Sequence, residues 1–469
     1  MAQEHLQRLT AVDASFLHQE SASAHMHVGA VALFEGPSPA REDLLDVLRS
    51  RLHRVPRYRQ KVAFPPAGGG RPLWVDDAAF EVEDHLRHTA LPPPGSESEL
   101  LDLAARIFSE PLDRSRPLWE LWLVDGLAGG RFAIVSKTHH AVIDGVAGVE
   151  LAQLLFDPGP LSGDVEHPAE PWRPAPEPTG SRLLAAGARG LARSTRRAAT
   201  LAAGALGHPR GTLRSAGAAA AGVREVVRAA LDPAPPSPLN VPIGADRRFA
   251  VVHADLSDVK LVKDAFGGTV NDVVLAVVTG ALRTWMRDRG AGTDGLQLRA
   301  LVPVSIRAEH ERGAMGNRLA AMRGALPVDL DDPVARMREV REAMEGAKAS
   351  GQAAGAKVLA GVGSIAPPAI LAWAARLTTS TRLFNLIVTN VPGPQVPLYL
   401  RGRELLDVFP VAFLPRDHAL AVAVFSYNGR MGFGLLGDHD ALEDIHAIAE
   451  AIEASLDELV QLAATGAGR

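Results

Sequence analysis

The chain has 469 residues, too many for one ordinary hydrophobic core and enough for two. Hydrophobic residues make up 47% and charged residues 22%, the balance of a globular protein, and a formal net charge of −5 argues against a generic nucleic-acid binder. There is no cysteine, which excludes disulfides, thiolate metal sites and a cysteine acyl-enzyme, and fits a reducing cytoplasm.

Glu4 and Arg8 interrupt the N-terminus, which does not read as a signal peptide. His27 to Phe34 and Phe132 to Thr138 are β-rich runs, and Arg41 to Leu52 has helical spacing. Val146 to Phe156 reads as a short amphipathic helix. Two proline-rich stretches, Asp157 to Gly180 and Asp232 to Asp246, are poor helix and strand material and make semi-rigid connectors. They divide the chain into an N-terminal domain (1–175), a bridge (176–236) and a C-terminal domain (237–469). Beyond the bridge, Phe249 to Leu256 and Arg299 to Val304 look like strands and Val270 to Arg289 like a long helix. Leu420 to Tyr427 and Met431 to Leu436 form a hairpin around Asn428-Gly429-Arg430, and His439 to Leu462 closes the chain as a helix. Mixed elements in two blocks predict two α/β or α+β sheet-and-helix domains. An uncharged run between Lys357 and Arg376 approaches the length of a membrane span. Gly361, Gly363, Pro367 and Pro368 in its middle favour two shorter buried segments.

The bridge has its own character. Ser181 to Leu231 holds nine arginines against one acid, Glu225, so it is net +8 and the remainder of the chain −13. Arginines spaced by three, four and seven recur on one helical face. One reading is a helix resting on an anionic membrane or lipid surface. The other is a solvated face in a chain whose 49 basic residues include only six lysines.

The segment Arg131 to Gly145 carries the chemistry. A β-rich run ends in His139 and His140, a turn comes next, and Asp144 and Gly145 precede a helix. Neighbouring strand residues point to opposite faces, so one histidine can enter a cleft while the other packs behind it. An imidazole titrates near ~6.5 and supplies a neutral base for a hydroxyl attacking a carbonyl. The alternatives for such a pair are packing or a metal site, and no His-Glu-x-x-His pattern or second cluster adds metal ligands.

His-His-x-x-x-Asp-Gly resembles the signature of the thioester-dependent acyltransferases of chloramphenicol-acetyltransferase-like fold, which include condensation domains of peptide synthetases. Within that superfamily the chain is similar to the bacterial wax ester synthase/diacylglycerol acyltransferase family. The likeness runs nearly end to end. It covers Leu9 to Leu17, Met26-His27-Val28-Gly29, Pro117-Leu118-Trp119, His139 to Gly145, Ser237 to Asn240, Arg247-Arg248 and Asn271 to Ala276. It continues through Pro303 to Arg307, Gly316-Asn317 and Thr389 to Pro394, with Thr389 where many relatives have Ser.

The resemblance implies two similar domains, each a sheet packed with helices, and a tunnel between them that admits the acyl thioester from one side and the alcohol from the other. His140 is then the general base, Asp144 holds the shape of the motif, and His139 is structural. Asn271 and Asp272 are linked to activity in the family. The residues themselves also permit Asp272 to be an acid stabilised in a helix's first turn. Pro117-Leu118-Trp119 reads first as a wall of core or tunnel, and Thr389-Asn390 through Pro394 as a turn. Arg307 reads as an internal ion-pair partner or a phosphate anchor.

The expected substrates are long-chain acyl-coenzyme A and either diacylglycerol or a long-chain alcohol. Acyl-coenzyme A serves as co-substrate, with no cofactor and no metal. The expected location is cytoplasmic, peripheral on the inner membrane face or on lipid droplets. Two rivals remain open: a condensation-domain-like enzyme using a carrier-protein thioester, and a non-catalytic lipid-binding protein.

Overall fold

The computed structural model describes residues 7–66, 70–142, 155–160, 168, 170–189, 192, 196, 233–305, 319–349 and 381–466. The N-terminal half contains β1 (Gln7–Arg8), α1 (Ala11–Gln19), β2 (His27–Phe34), α2 (Arg41–Arg51), β3 (Gln60–Ala63), β4 (Leu73–Asp76), β5 (Leu86–Ala90), α3 (Glu97–Ser109), β6 (Trp119–Asp125) and β7 (Phe132–His139). The C-terminal half opens with β8 (Arg247–Asp255), α4 (Leu256–Phe266), α5 (Val270–Asp288), β9 (Gln297–Ser305), β10 (Leu319–Pro327) and α6 (Pro333–Ala349). It ends with β11 (Leu386–Pro392), β12 (Tyr399–Leu400), β13 (Arg403–Val411), β14 (Leu420–Tyr427), β15 (Arg430–Asp438) and α7 (Ile445–Ala464).

Local chemistry explains several boundaries. Ser96 starts α3 with a reciprocal cap: its hydroxyl accepts from Glu99 N–H while the Glu99 carboxylate accepts from Ser96 N–H at 2.7 Å. Thr269 and Asp272 repeat the arrangement at the start of α5. Asn428 and Gly429 both have positive φ, 45° and 82°, as a two-residue hairpin turn between β14 and β15 requires.

Two six-stranded sheets carry the architecture, in the orders β12-β13-β2-β7-β6-β5 and β10-β9-β11-β14-β15-β8. A three-stranded sheet, β1-β4-β3, flanks the first. Alternate residues of β2 and β7 divide between two cores. Val31, Leu33, Ala133 and Val135 face α3 and join the large apolar cluster that also contains Val252, Leu275 and Phe409 of the C-terminal half. Phe34, Phe132 and Ile134 face the other way, onto Leu44, Leu48, Tyr58 and Trp119.

The division of the chain at residues 176 and 237 does not foresee one exchange. β12 and β13 come from the C-terminal half but complete the N-terminal sheet, with Phe409 opposite Val31 on β2. The pairing covers an otherwise open strand edge, and it spans several hundred residues of sequence, so no local pattern records it. Where this crossing strand passes β15, side chains are missing. A Cβ on Gly432 would lie 2.2 Å from the Val408 carbonyl oxygen, and one on Gly434 1.9 Å from that of Pro410. The two sheets therefore meet backbone to backbone at this point.

Most strand and helix ends lie within one or two residues of the sequence expectation, and three differences are instructive. The last helix begins at Ile445 rather than His439, because Asp438 accepts from Gly244, Asp440 and Ala441 N–H and holds a turn there. Thr389 to Pro392 is the end of strand β11, not a turn, since β14 supplies a parallel partner for every residue to Pro392. Arg41 to Leu52 is α-helical only to Arg51 and then tightens into a 3₁₀ turn. Residues 180–189 of the bridge are helical. The expected helix at 146–156 for the most part, the rest of the bridge apart from residues 192 and 196, and the uncharged run 357–376 lie outside the described residues. No single described helix is long and apolar enough to cross a membrane.

The closest approach in the N-terminal sheet is at Gly29, where a Cβ would sit 1.8 Å from the Ser136 carbonyl oxygen and 2.9 Å from Phe108 Cζ. Backbone cannot move aside as a flexible side chain can. Gly29→Ala is expected to cost about 1–3 kcal/mol in a denaturant titration. An unchanged midpoint would show that β2 and β7 tolerate a side chain between them.

Candidate active site

Strand β7 ends at His139, and four main-chain and ring contacts shape the turn beyond it. His139 N–H donates to the Leu118 carbonyl at 3.0 Å, and His140 N–H to the Met26 carbonyl at 2.8 Å. Val142 N–H closes the turn onto the His139 carbonyl at 2.9 Å, and Ala141 N–H donates to His139 Nδ1 at 3.0 Å. The turn is thus held by the segments leading into β2 and β6 and by the His139 ring.

The His140 ring lies beyond the strand, between two phenylalanines. Phe16 of α1 stacks on it with centroids 4.0 Å apart at 22°, and Phe413 meets it edge-on at 5.5 Å and 89°. Phe16 belongs to the N-terminal half and Phe413 comes just after β13, so both halves of the chain build this wall. Burial disfavours the imidazolium and lowers the His140 pKa to about 4. The ring is therefore neutral at neutral pH, with a lone pair to accept a proton. Its Nδ1 is buried and has no hydrogen-bond partner among the described residues.

Behind the turn lies a polar cluster. His139 is buried directly opposite His27 on β2, and both face the carboxylate of Glu20 at 3.5 Å. Arg114 pairs with the same carboxylate, Nε to Oε2 2.9 Å. Burial lowers the His27 pKa to about 3 despite the neighbouring Glu20. Lys137, two residues back on β7, is also buried. It donates to the Ile107 and Glu110 carbonyls at 2.9 and 3.1 Å, capping the C-terminus of α3.

The other sequence candidates divide into those in place near the turn and those elsewhere. Pro117, Leu118 and Trp119 lie directly beneath His139. Leu118 and Trp119 are buried, and the Trp119 indole stacks on His85 at 4.4 Å while donating to the Tyr58 carbonyl at 2.8 Å. That is the wall of a core. Asp272 sits in the first turn of α5, accepting from Thr269 N–H and Oγ1–H, both at 2.8 Å, with its other oxygen buried and unpaired among the described residues. No described contact joins Asn271 or Asp272 to the histidines. Thr389 and Asn390 are half-buried on the part of β11 that pairs with β14 alone, beyond the two rungs it shares with β9. Asp144, Gly145 and Arg307 lie outside the described residues. Among the described residues no group of three or more His, Cys, Asp or Glu is placed to hold a metal.

Sequence reasoning missed Phe16, Glu20, Arg114 and Phe413. Phe16 lies inside the Leu9 to Leu17 segment and Glu20 one helical turn beyond it, so a signal existed for those two. Arg114 and Phe413 reach the site from distant parts of the chain and leave no local trace.

Comparison with known proteins gives this geometry a family. The wax ester synthase/diacylglycerol acyltransferase catalytic domain matches residues 9–274, and the C-terminal domain of the same family matches residues 315–460. A Mycobacterium tuberculosis protein named probable diacylglycerol O-acyltransferase is 35% identical over 464 residues, covering 97% of this chain and 96% of its own. A second protein of that name from the same organism is 34% identical, over 96% of this chain and 98% of its own. Among solved structures, the wax ester synthase/diacylglycerol acyltransferase of Marinobacter aquaeolei superposes with a TM-score of 0.69 at 29% identity, covering 98% of this chain and all of the other. The first condensation domain of the CDA synthetase superposes at 0.62 with 18% identity, over 98% of this chain and 97% of its own, a likeness of fold alone. The two-sheet architecture is thus the chloramphenicol-acetyltransferase-like fold that the histidine motif implied. With both domains of the family matched in order along nearly its whole length, the chain belongs to the wax ester synthase/diacylglycerol acyltransferase family and is an acyltransferase of that family.

Proposed function

We propose that the protein transfers a long-chain acyl group from acyl-coenzyme A to the hydroxyl of diacylglycerol or a fatty alcohol, with His140 as general base. The observation that carries this reading is a neutral imidazole held at the end of β7 between aromatic rings from both halves of the chain. The acceptor hydroxyl gives its proton to His140 as its oxygen attacks the thioester carbonyl carbon. The tetrahedral adduct then collapses, the C–S bond breaks, and the imidazolium returns the proton to the leaving thiolate as coenzyme A thiol. Neither a cofactor nor a covalent enzyme intermediate enters this scheme. His139 braces the turn and Pro117-Leu118-Trp119 forms its floor, while Asp144 and Gly145, outside the described residues, are assigned to support of the motif. Asp272 acts through the start of α5 rather than on the substrate. Asn271, Thr389, Asn390 and Arg307 are assigned to support of the substrate channel.

Long acyl chains suit an apolar channel because each buried CH₂ contributes up to roughly 0.8 kcal/mol. We further assign the protein a peripheral place on a membrane or lipid-droplet surface, through the arginine-rich bridge. Each basic residue near an anionic surface contributes about 1 kcal/mol. Changing Arg189, Arg193, Arg196 and Arg197 to Gln should therefore weaken binding to anionic vesicles in a sedimentation assay and leave turnover of a short soluble acceptor intact. Equal vesicle binding would leave the bridge as a solvated arginine-rich segment.

The base is tested by His140→Ala, which should lower thiol release by roughly 10²–10⁴-fold while the protein stays folded. Its depressed pKa also sets the pH profile. A lowered pKa keeps the base unprotonated to lower pH, so kcat/KM should stay level from pH 8 to about 5.5 and fall only toward pH 4. An acid limb centred near the ordinary histidine value would contradict the enclosed ring.

Direct attack is tested by mixing enzyme with long-chain acyl-coenzyme A and no acceptor. Only slow hydrolysis is expected, then rapid thiol release when diacylglycerol or a fatty alcohol is added. A stoichiometric acyl adduct in the intact-protein mass would sink the scheme. A panel of donors of decreasing chain length should show progressively weaker productive binding.

A further inference from the structure

The assignment of His140 as base and His139 as brace leaves Glu20, in the buried cluster behind the turn, without a role. Resting on that assignment, we propose that Glu20 is a positioning residue. Its carboxylate faces the Nε2 atoms of His139 and His27, and through His139 it fixes the turn that carries His140.

The chain of contacts is continuous. Glu20 directly succeeds α1, and its backbone N–H donates to the Phe16 carbonyl at 3.1 Å. Its side chain is only 8% exposed. Oε1 stands 3.5 Å from His27 Nε2 and Oε2 3.5 Å from His139 Nε2, and neither nitrogen has a hydrogen-bond partner among the described residues. On its far side His139 accepts the Ala141 N–H through Nδ1 at 3.0 Å. A ring nitrogen that accepts a hydrogen bond carries no proton, so in neutral His139 the proton sits on Nε2, facing Glu20. The other tautomer would set one N–H against another and free Ala141. Ala141 is the residue after the base, so the tautomer of His139 determines whether the turn keeps this side-chain tie in addition to its main-chain bonds.

Charge supports the same arrangement. A buried carboxylate is costly unless it is paired. Arg114 donates to it through Nε at 2.9 Å, while its Nη2 reaches the Leu17 carbonyl at 3.2 Å and anchors the pair to α1. Lys137 does not compete, because its ammonium is directed at the end of α3 and at Glu120, 3.6 Å away. Burial pushes the Glu20 carboxyl up, but the Arg114 guanidinium and the His139 and His27 rings facing it at 3.5 Å outweigh this and hold it well below the usual carboxylate range. One helix thus braces both histidines. Phe16 stacks on His140, and Glu20, four residues on, faces His139.

The test pairs kinetics with a spectrum that needs no turnover. Histidine tautomers are read from two-bond ¹H–¹⁵N spectra of ¹⁵N-histidine-labelled enzyme, with the His139 signal identified by its loss in His139→Ala. Wild type should show His139 in the Nε2–H form. Glu20→Gln keeps the shape of the side chain but leaves one acceptor oxygen for two rings, so the His139 signal should move to a mixed tautomer. Loosened placement of a base costs on the order of 10–100-fold in kcat, with KM for both substrates held within about twofold. Wild-type kcat in Glu20→Gln would overturn the proposal, and so would a lower kcat with an unaltered His139 spectrum. If that variant does not fold, Arg114→Gln serves, since its side chain is 44% exposed. It should shift the same signal and lower kcat several-fold, and no change in either would overturn the proposal. Should His140→Ala retain wild-type turnover, the base assignment fails while the His139 spectrum still judges the brace.

Discussion

The bond from His140 N–H to the Met26 carbonyl, 2.8 Å long, continues the pairing of β7 with β2 one step past the strand end, and the position of the imidazole depends on it. Eight consecutive pairs lead up to it, from Phe34 opposite Phe132 to His27 opposite His139. The approach is close enough at Gly29 to exclude a side chain. Ladder geometry of this kind has no slack along the strand, since a slip of one residue would turn every side chain to the opposite face. His139 would then leave Glu20, and the apolar residues of β7 would exchange their two cores.

The same sheet is not the property of the N-terminal half alone. β13 returns from the C-terminal half to pair with β2, and the segment after it delivers Phe413 to the edge of the His140 ring. Gly432 and Gly434 allow β15 to lie on the backbone of β13, so the crossing strand is held against both sheets. Placement of the ring and its desolvation are therefore set together. If β13 were displaced, Phe413 would leave the ring, water would reach it, and its affinity for a proton would rise toward the ordinary histidine value.

Polar groups around the site tie distant segments to one another. Arg247 donates to the Ser23 and Gly244 carbonyls and lies 3.8 Å from Asp438, linking the segment before β2 to the start and end of the C-terminal sheet. Asn385 joins Arg299 N–H, at 2.7 Å, to Asn240 and the Pro235 carbonyl, which accounts for the Ser237 to Asn240 segment as a clasp. Arg247 and Asn240 are thus motif residues whose work is to hold segments together. They are distinct from His140, whose neutral ring has its buried Nδ1 unpaired among the described residues.

By itself the sequence determined whatever depends on neighbours along the chain. Strand β2 was legible to the residue from its β-rich apolar text. The hairpin was legible from Asn428-Gly429-Arg430, although Arg430 lies in β15 rather than in the turn, and the start of α5 was read at Val270. The ordered motifs were specific enough to point to the family and to the histidine pair. Only the tertiary structure decided that β13 crosses into the other sheet, that Thr389 and Asn390 continue a strand, and that Phe16, Phe413, Glu20 and Arg114 surround the two histidines. The reason is physical. A turn or a cap is a contract between residues three or four apart, whereas enclosure of a ring and burial of a carboxylate join groups tens to hundreds of residues apart. Such meetings are chosen by the packing of the whole chain, and no local pattern encodes them.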